Sequence, residues 1–150
     1  MIAMQSHFGL TRLEAAKFFP MESNREEMAC LVIHDKIAHN YRKRIVPMHH
    51  DYQREALSIR YHLVTTHLLY CQKEPQIKSM PNLYDAECLN AGIAINTPFR
   101  CIYAEKRLSE LINSLESEAA AWKQLANEMG YSRANKLKDR LYGQKTVTEV

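Results

Sequence analysis

A chain of 150 residues with 46 % hydrophobic and 25 % charged side chains has the size and composition of one globular domain, residues 1–150. Its 20 basic and 17 acidic residues give a net charge of +3, which is too near balance to indicate a function class. No apolar run approaches the roughly 18 residues of a membrane span, and the first residues lack a signal-peptide pattern. We therefore expect a cytoplasmic protein that does not enter a membrane.

The composition also argues against a sheet. The chain contains only four glycines, and in no stretch do β-branched and aromatic residues alternate with polar ones. We therefore predict an all-α fold, a single-domain helical bundle of five or six helices.

The first two predicted helices each begin with a capping box, in which a hydroxyl residue is followed three positions later by glutamate. Thr11 and Glu14 form the first box, and Pro20 ends that helix. Ser23 and Glu26 form the second box. The helix after it places apolar residues from 30 to 45 on one stripe, with most of its charges outside that stripe.

Pro47 interrupts this pattern because proline removes a helical hydrogen bond. We predict a tight antiparallel hairpin of two helices here, with a kink as the alternative. The second helix of the hairpin is predicted at about 49–72, and its apolar stripe contains Tyr52, Ala56, Ile59, Leu63 and Tyr70.

A polar connection, residues 73–80, leads to a shorter predicted helix at about 81–95. The residues predicted to point inward from this helix are Leu83, Ala86, Leu89, Ile93 and Ala94. Gly92 either permits close helix packing or weakens the helix.

The most extensive pattern is a heptad seam that predicts one long helix at about 98–129. The seam contains Cys101, Ala104, Leu108, Leu111, Leu115, Trp122, Leu125 and Met129, and only Glu118 interrupts it. Thr97 and Pro98 are typical of a helix start, and Gly130 is typical of the left-handed residue after a helix end. Such a seam packs against the rest of the chain or joins two copies in a homodimer.

A last short helix is predicted at 133–142, with Ser132 as its cap and with Leu137 and Leu141 inward. Residues 143–150 are predicted to be a frayed tail.

Six of the seven histidines lie between His34 and His67, and this clustering raises the question of a metal site. A tetrahedral zinc site needs four converging ligands, whereas the predicted hairpin brings at most three together. The four cysteines are far apart and include no C-x-x-C pair. We therefore expect no metal ion, no disulfide framework and no cofactor.

The segment His34–Tyr41, with the sequence HDKIAHNY, resembles the active-site motif of HEPN ribonucleases. In this all-helical family an arginine precedes a histidine by a few positions, and the pair acts on the RNA phosphate and the 2′-hydroxyl, usually across a dimer. The resemblance implies a catalytic role for His39, although His34 stands at the arginine position. Arg60 and His67 have the right residue types at a looser spacing.

Residues 125–134 are similar to the first helix and turn of a helix-turn-helix, since Ala126 and Gly130 lie four positions apart and Ser132 can cap the next helix. That resemblance implies DNA binding by the helix that follows the turn. A helical corner that returns the tail to the bundle would contain the same residues. Residues 10–19 resemble the opening of repressor-type domains, with Pro20 where a glycine is usual.

Two basic clusters are typical of contact with phosphate or with an acidic protein surface, and solvated helix faces are the alternative. The first cluster, at the predicted hairpin tip, contains Lys36, Arg42, Lys43, Arg44 and Arg54. The second cluster, on the last helix, contains Arg133, Lys136, Lys138 and Arg140.

These patterns favour a small non-catalytic helical binding protein, a regulator or accessory subunit that acts on nucleic acid or on a protein that handles nucleic acid. The alternatives are a HEPN-like ribonuclease and an inhibitor that docks on a host protein through a helical face.

Overall fold

The computed structural model describes residues 1–20, 24–25, 29–66, 82, 84–86, 88–115 and 117–143. The helices are α1 (Ile2–Phe8), α2 (Arg12–Lys17), α3 (Asp51–Thr66), α4 (Phe99–Ser114), α5 (Glu118–Glu128) and α6 (Ala134–Tyr142). The strands are β1 (Asn24–Arg25), β2 (Cys30–Ile33) and β3 (Arg44–Pro47). Further helical residues lie at 84–86 and 88–90. The described part of the chain is mostly helical, and it also contains a small sheet.

The sheet is antiparallel, with the strands in the order β1–β2–β3. In its register Leu31 pairs with Val46, and Ile33 pairs with Arg44. The prediction of an all-α fold is therefore wrong in this region. The chain does form a hairpin, but its arms are the strands β2 and β3, and its turn lies at 34–43 instead of at Pro47.

The central position of β2 explains this error. All four of its residues are buried, because β2 has a neighbouring strand on each side and both of its faces are covered. A strand buried on both faces shows no alternation, and a short continuous apolar run is compatible with either a strand or a buried helix. The capping box at Ser23 and Glu26 lies outside the described residues.

The single long helix predicted at 98–129 is also wrong, since the structure has two helices there. Leu115 follows α4 with an extended backbone, φ −112° and ψ 155°. The Ser117 side chain then accepts a hydrogen bond from the backbone N–H of Ala120, at 3.2 Å, and so caps α5. The break lies at the point where Glu118 interrupts the seam.

The seam nevertheless packs inside the chain. Its most buried members are Ala104, Leu111, Trp122, Leu125 and Met129. Cys101, Leu108 and Leu115 are partly buried against the same core, in which α4 packs against both α1 and α5. These residues pack against other parts of the same chain, and the structure does not support the homodimer proposed through 98–129.

At the N-terminus, α1 is a helix that the sequence patterns missed. It ends at Gly9, which has a left-handed backbone (φ 64°) and packs against the ring of Tyr103. The capping box of α2 is confirmed, because Thr11 Oγ1 accepts from the Glu14 N–H at 3.1 Å and the Glu14 carboxylate accepts from the Thr11 N–H at 2.8 Å. The helix ends at Lys17, before Pro20.

The helix predicted at 49–72 begins at Asp51 and is described as far as Thr66. Its buried face differs from the predicted stripe, since Ile59 and Leu63 are exposed whereas Gln53 and Arg60 are buried. The two polar side chains are inside because they donate to main-chain carbonyls, Gln53 to that of His7 and Arg60 to those of residues 16 and 18.

Two smaller predictions have mixed outcomes. In the region 81–95, Ala86, Leu89 and Ala94 are exposed instead of inward, while Tyr84 and Cys88 are buried. The last helix is confirmed, with Leu137 and Leu141 buried, but its N-cap is Arg133 instead of Ser132 and makes no side-chain cap bond. Leu83, His67, Tyr70 and residues 144–150 lie outside the described part of the chain.

Candidate functional site

The loop between β2 and β3, residues 34–43, contains most of the first basic cluster. Lys36, Arg42 and Lys43 are exposed on it. Tyr41 stands beside them with 82 % of its surface exposed. Its backbone is left-handed, at φ 55°, which costs a residue with a side chain on the order of 1 kcal/mol. An exposed aromatic ring at a strained position contributes little to packing, so folding alone does not account for it.

Contacts at several points hold this loop in place. Ala38 is buried in the main core. The His39 N–H donates to the Glu14 carboxylate at 2.9 Å, and the Asn40 side-chain amide donates to the Gly130 carbonyl. The loop is therefore anchored both to α2 and to the turn between α5 and α6, and it presents Tyr41, Arg42 and Lys43 in a defined place.

Arg44, which the sequence assigned to the exposed basic cluster, is only 6 % exposed. Its guanidinium donates to both carboxylate oxygens of Glu14, at 2.6 and 2.7 Å. Burial opposes ionisation of Glu14, but hydrogen bonds from Arg44 and its charge, together with the His39 and Thr11 amides, outweigh this and lower the pKa of Glu14 to about 2. Arg44 is thus a structural cation that anchors β3 on α2.

A second buried ion pair lies next to the first. Arg44 Nε donates to the backbone carbonyl of Glu128 at 3.0 Å. The Glu128 carboxylate accepts two hydrogen bonds from Arg107, both at 3.0 Å, and one from the Tyr103 hydroxyl at 2.8 Å. This network of paired charges connects α2, β3, α4 and α5 beneath the loop.

Above this network an open cavity of about 540 Å³ lies between the β hairpin and α5, which contact each other at its base, and we call it the β3–α5 groove. The hairpin side of the groove is lined by Arg42, Lys43, Arg44, Ile45 and Pro47. Two neighbouring residues of β3 depart from the usual pattern, because the charged Arg44 is buried against Glu14 while the apolar Ile45 is 52 % exposed and lines the groove.

The helical side of the groove is lined by Gln124, Asn127, Glu128, Gly130 and Tyr131. Gly130 has φ +81°, as its position after a helix predicted. The Gly130 N–H donates to the Asn127 carbonyl at 3.1 Å, and the Tyr131 N–H donates to the Ala126 carbonyl at 2.7 Å. This Schellman motif ends α5 and places Tyr131 at the edge of the groove.

The groove combines three kinds of chemical group. Arg42 and Lys43 supply positive charge at its rim, while the charges of Arg44 and Glu128 below them are paired within the fold. Asn127 is exposed and presents its side-chain amide, whereas the Gln124 amide N–H donates to Glu128 Oε1 at 3.0 Å. The Tyr131 ring also lines the groove, and the guanidinium of Arg100 lies over this ring, 5.5 Å from its centroid. Such a surface can bind an anionic chain through its phosphates, its hydrogen-bonding edges and its flat apolar faces.

The remaining basic residues lie elsewhere. Arg54 forms an exposed ion pair with Asp51 on α3 and does not line the groove. On α6, Arg133, Lys136 and Arg140 are exposed, whereas the Lys138 ammonium lies over the ring of Trp122 at 4.8 Å. Arg140 borders a second cavity, of about 460 Å³, in which Arg100 donates to the carbonyls of Gly9 and Met129.

The segment that resembles the HEPN motif does not have the secondary structure that the resemblance implies. Residues 34–41 form a loop between two strands, not a helical segment. Arg60 is buried and donates to main-chain carbonyls. Within the part of the chain that the structure describes, no three His, Cys, Asp or Glu side chains are grouped so that they could hold a metal ion.

The sequence patterns did not assign a binding role to Tyr41, on the loop beside the groove, or to four residues that line the groove, Ile45, Gln124, Asn127 and Tyr131. A usable signal was present in one case, because Tyr41 directly precedes Arg42 and Lys43, and aromatic residues interleaved with cations are typical of nucleic-acid-binding surfaces. The others depend on the contact between β3 and α5, which joins segments about eighty positions apart.

None of the described helices is both long enough and apolar enough to cross a membrane. No protein-family model, curated protein or solved structure is significantly similar to this chain.

Proposed function

We propose that this protein is a non-catalytic nucleic-acid-binding protein and that the β3–α5 groove, with the 34–43 loop at its rim, is the binding surface. The observation that supports this proposal is the exposure of Arg42 and Lys43 at the rim of a groove that is also lined by the exposed Asn127 and by Tyr131. Cations position a phosphate backbone, and amides can contact base edges.

The paired charges beneath the groove support binding more than catalysis. Glu14 and Glu128 each receive several hydrogen bonds from arginine and from other donors, and the pKa of Glu14 is lowered instead of raised. A general acid or base that works near neutral pH needs a pKa close to that pH. The buried carboxylates therefore fix the geometry of the rim while its cations contact the ligand.

A second candidate is duplex DNA binding by α6. It is favoured by the exposed Arg133, Lys136 and Arg140 and by the Schellman turn that separates α5 from α6. This surface also exposes an amide side chain, that of Asn135, and Arg140 borders the second cavity. Because it has a comparable number of cations as well, it provides the matched control.

We expect the double substitution Arg42→Ala and Lys43→Ala to weaken binding to nucleic acid about 5- to 30-fold, because two exposed cations each contribute modestly. The slope of log K against log salt should decrease by about 1.4 on a single strand or 1.8 on a duplex, since two phosphate contacts are lost. Fluorescence anisotropy at several salt concentrations measures both quantities, and the thermal midpoint should be unchanged.

The control variant carries Arg133→Ala and Lys136→Ala, which removes the same charge from α6. A larger loss of affinity in this control would move the binding surface to α6. If neither variant changes binding to RNA or DNA, the proposed function is wrong. Arg44 is left intact in both variants because its loss would disrupt the buried ion pair with Glu14.

A further inference from the structure

Tyr41 has a combination of properties that the binding of phosphate alone does not require. Its ring is almost fully exposed, its backbone is left-handed, and it directly precedes the two rim cations. Asparagine or glycine would occupy this backbone conformation with less strain, and a polar side chain would interact with water more favourably. The ring therefore lowers the stability of the unbound protein slightly, which is expected where a ligand contacts the ring.

The loop contacts fix the backbone position from which this ring projects. His39 is held by Glu14, Asn40 is held by Gly130, and the Tyr41 N–H donates to the Ala38 carbonyl at 3.1 Å. When a flat partner stacks on the ring, only the side-chain torsions of Tyr41 lose conformational entropy, because the backbone is already held. A nucleobase is such a partner, and every base has a face that an aromatic side chain can cover.

The groove next to Tyr41 limits the form of nucleic acid that fits. Its volume of about 540 Å³ is in the range of small-molecule sites, so the groove can accept single bases but not the body of a double helix, which could only lie across its opening. Bases in a duplex are stacked on one another and paired along their edges, so the Tyr41 ring and the Asn127 amide would reach only the outside of a duplex. Unpaired bases offer both their faces and their edges.

We propose that the β3–α5 groove binds an unpaired segment of nucleic acid, with one base stacked on Tyr41, the backbone phosphates beside Arg42 and Lys43, and a second base near Asn127. This inference rests on the proposed function and adds the form of the ligand. Base stacking on Tyr41 then gives the protein its preference for single strands, while the cations give affinity without sequence preference.

The test uses a fluorescein-labelled oligouridylate of about 15 nucleotides, a length in the range of known single-strand sites. Anisotropy titrations compare the strand alone with the same strand annealed to oligoadenylate. We expect the intact protein to bind the single strand more tightly. Tyr41→Ala should weaken single-strand binding about 5- to 140-fold, the loss expected for one stacked base, and should leave duplex binding unchanged.

Two further variants separate stacking from other effects. Tyr41→Phe keeps the ring and should bind like the intact protein. Tyr61→Ala removes another exposed tyrosine, from α3, and should also bind normally. Because alanine keeps the Cβ of Tyr41 and the ring is in solvent, the Tyr41→Ala protein should fold with an unchanged helical circular dichroism spectrum.

Duplex binding as tight as single-strand binding, or a Tyr41→Ala variant that binds the strand normally, overturns this inference. The proposed function survives either result provided that Arg42→Ala with Lys43→Ala still weakens binding to nucleic acid. A third outcome is that polyglutamate of equal charge displaces the strand and that Tyr41→Ala does not change the affinity for the strand. This outcome would indicate an acidic protein as the partner and would overturn the inference as well.

Discussion

Glu14→Gln is expected to reduce the free energy of unfolding by about 3–5 kcal/mol, because it leaves the buried guanidinium of Arg44 without its counter-charge. Glutamine is chosen because it removes the charge and keeps the shape of the side chain. Its carbonyl oxygen can still accept one of the hydrogen bonds that the carboxylate receives from the amides of Thr11 and His39. Urea unfolding at neutral pH measures the loss, which is a large share of the stability of a small domain.

The matched control is the double variant Glu14→Gln with Arg44→Met, which removes the buried cation as well. Its destabilisation should be smaller than the sum of the two single losses, because the unpaired charge that dominates each single variant is absent. Additive losses would show that the two side chains do not interact and would contradict the contact between α2 and β3.

The same ion pair predicts how stability depends on pH. The pKa of Glu14 is about 2 in the folded protein, below its ordinary value of 4.5. Its contribution, on the order of 3 kcal/mol, is therefore fully present above about pH 5 and is lost as the pH falls toward 2. The stability difference between the intact protein and Glu14→Gln should decrease over this window.

Leu111→Ala is expected to cost about 2–5 kcal/mol, the range for truncating a buried leucine in a core that cannot fully collapse. Leu111 is 2 % exposed and packs where α4 meets the rest of the core. Leu115→Ala should cost less, because Leu115 is only partly buried after the end of α4. The loss is measured from the midpoint of urea unfolding, provided that the slope of the unfolding free energy against urea concentration is unchanged.

Ile112 provides the control for this prediction, since it is the next residue on the same helix and is 43 % exposed. Ile112→Ala should change the free energy of unfolding by less than about 1 kcal/mol. An equal loss at Leu111 and Ile112 would mean that the inward face of α4 has been assigned incorrectly.

The elements that the sequence predicted well are those whose signals are local. The capping box at Thr11 and Glu14, the left-handed Gly130 and the inward Leu137 each depend on residues within a few positions of one another. The heptad seam identified core residues such as Leu111 and Trp122 correctly, although it did not show that Ser117 divides the helix.

The errors arise where tertiary contacts decide the local structure. The apolar run of β2 becomes a strand because strands on both sides pair with it. Arg44 is inside because Glu14 is positioned to receive it, and a sequence pattern that assigns charges to the surface cannot detect a partner thirty positions away. The groove was unpredictable for the same reason, since β3 and α5 are distant in the chain.

Binding of nucleic acid between the 34–43 loop and α5 can be located residue by residue with an NMR titration. The ¹⁵N-labelled protein is mixed with unlabelled oligouridylate, and the chemical shifts of its backbone amides are followed. We expect the largest changes at residues 39–45 and 124–131, with little change at Tyr61 or Arg54 on α3. Changes concentrated at residues 133–140, or no saturable change in any amide, would contradict binding at this surface.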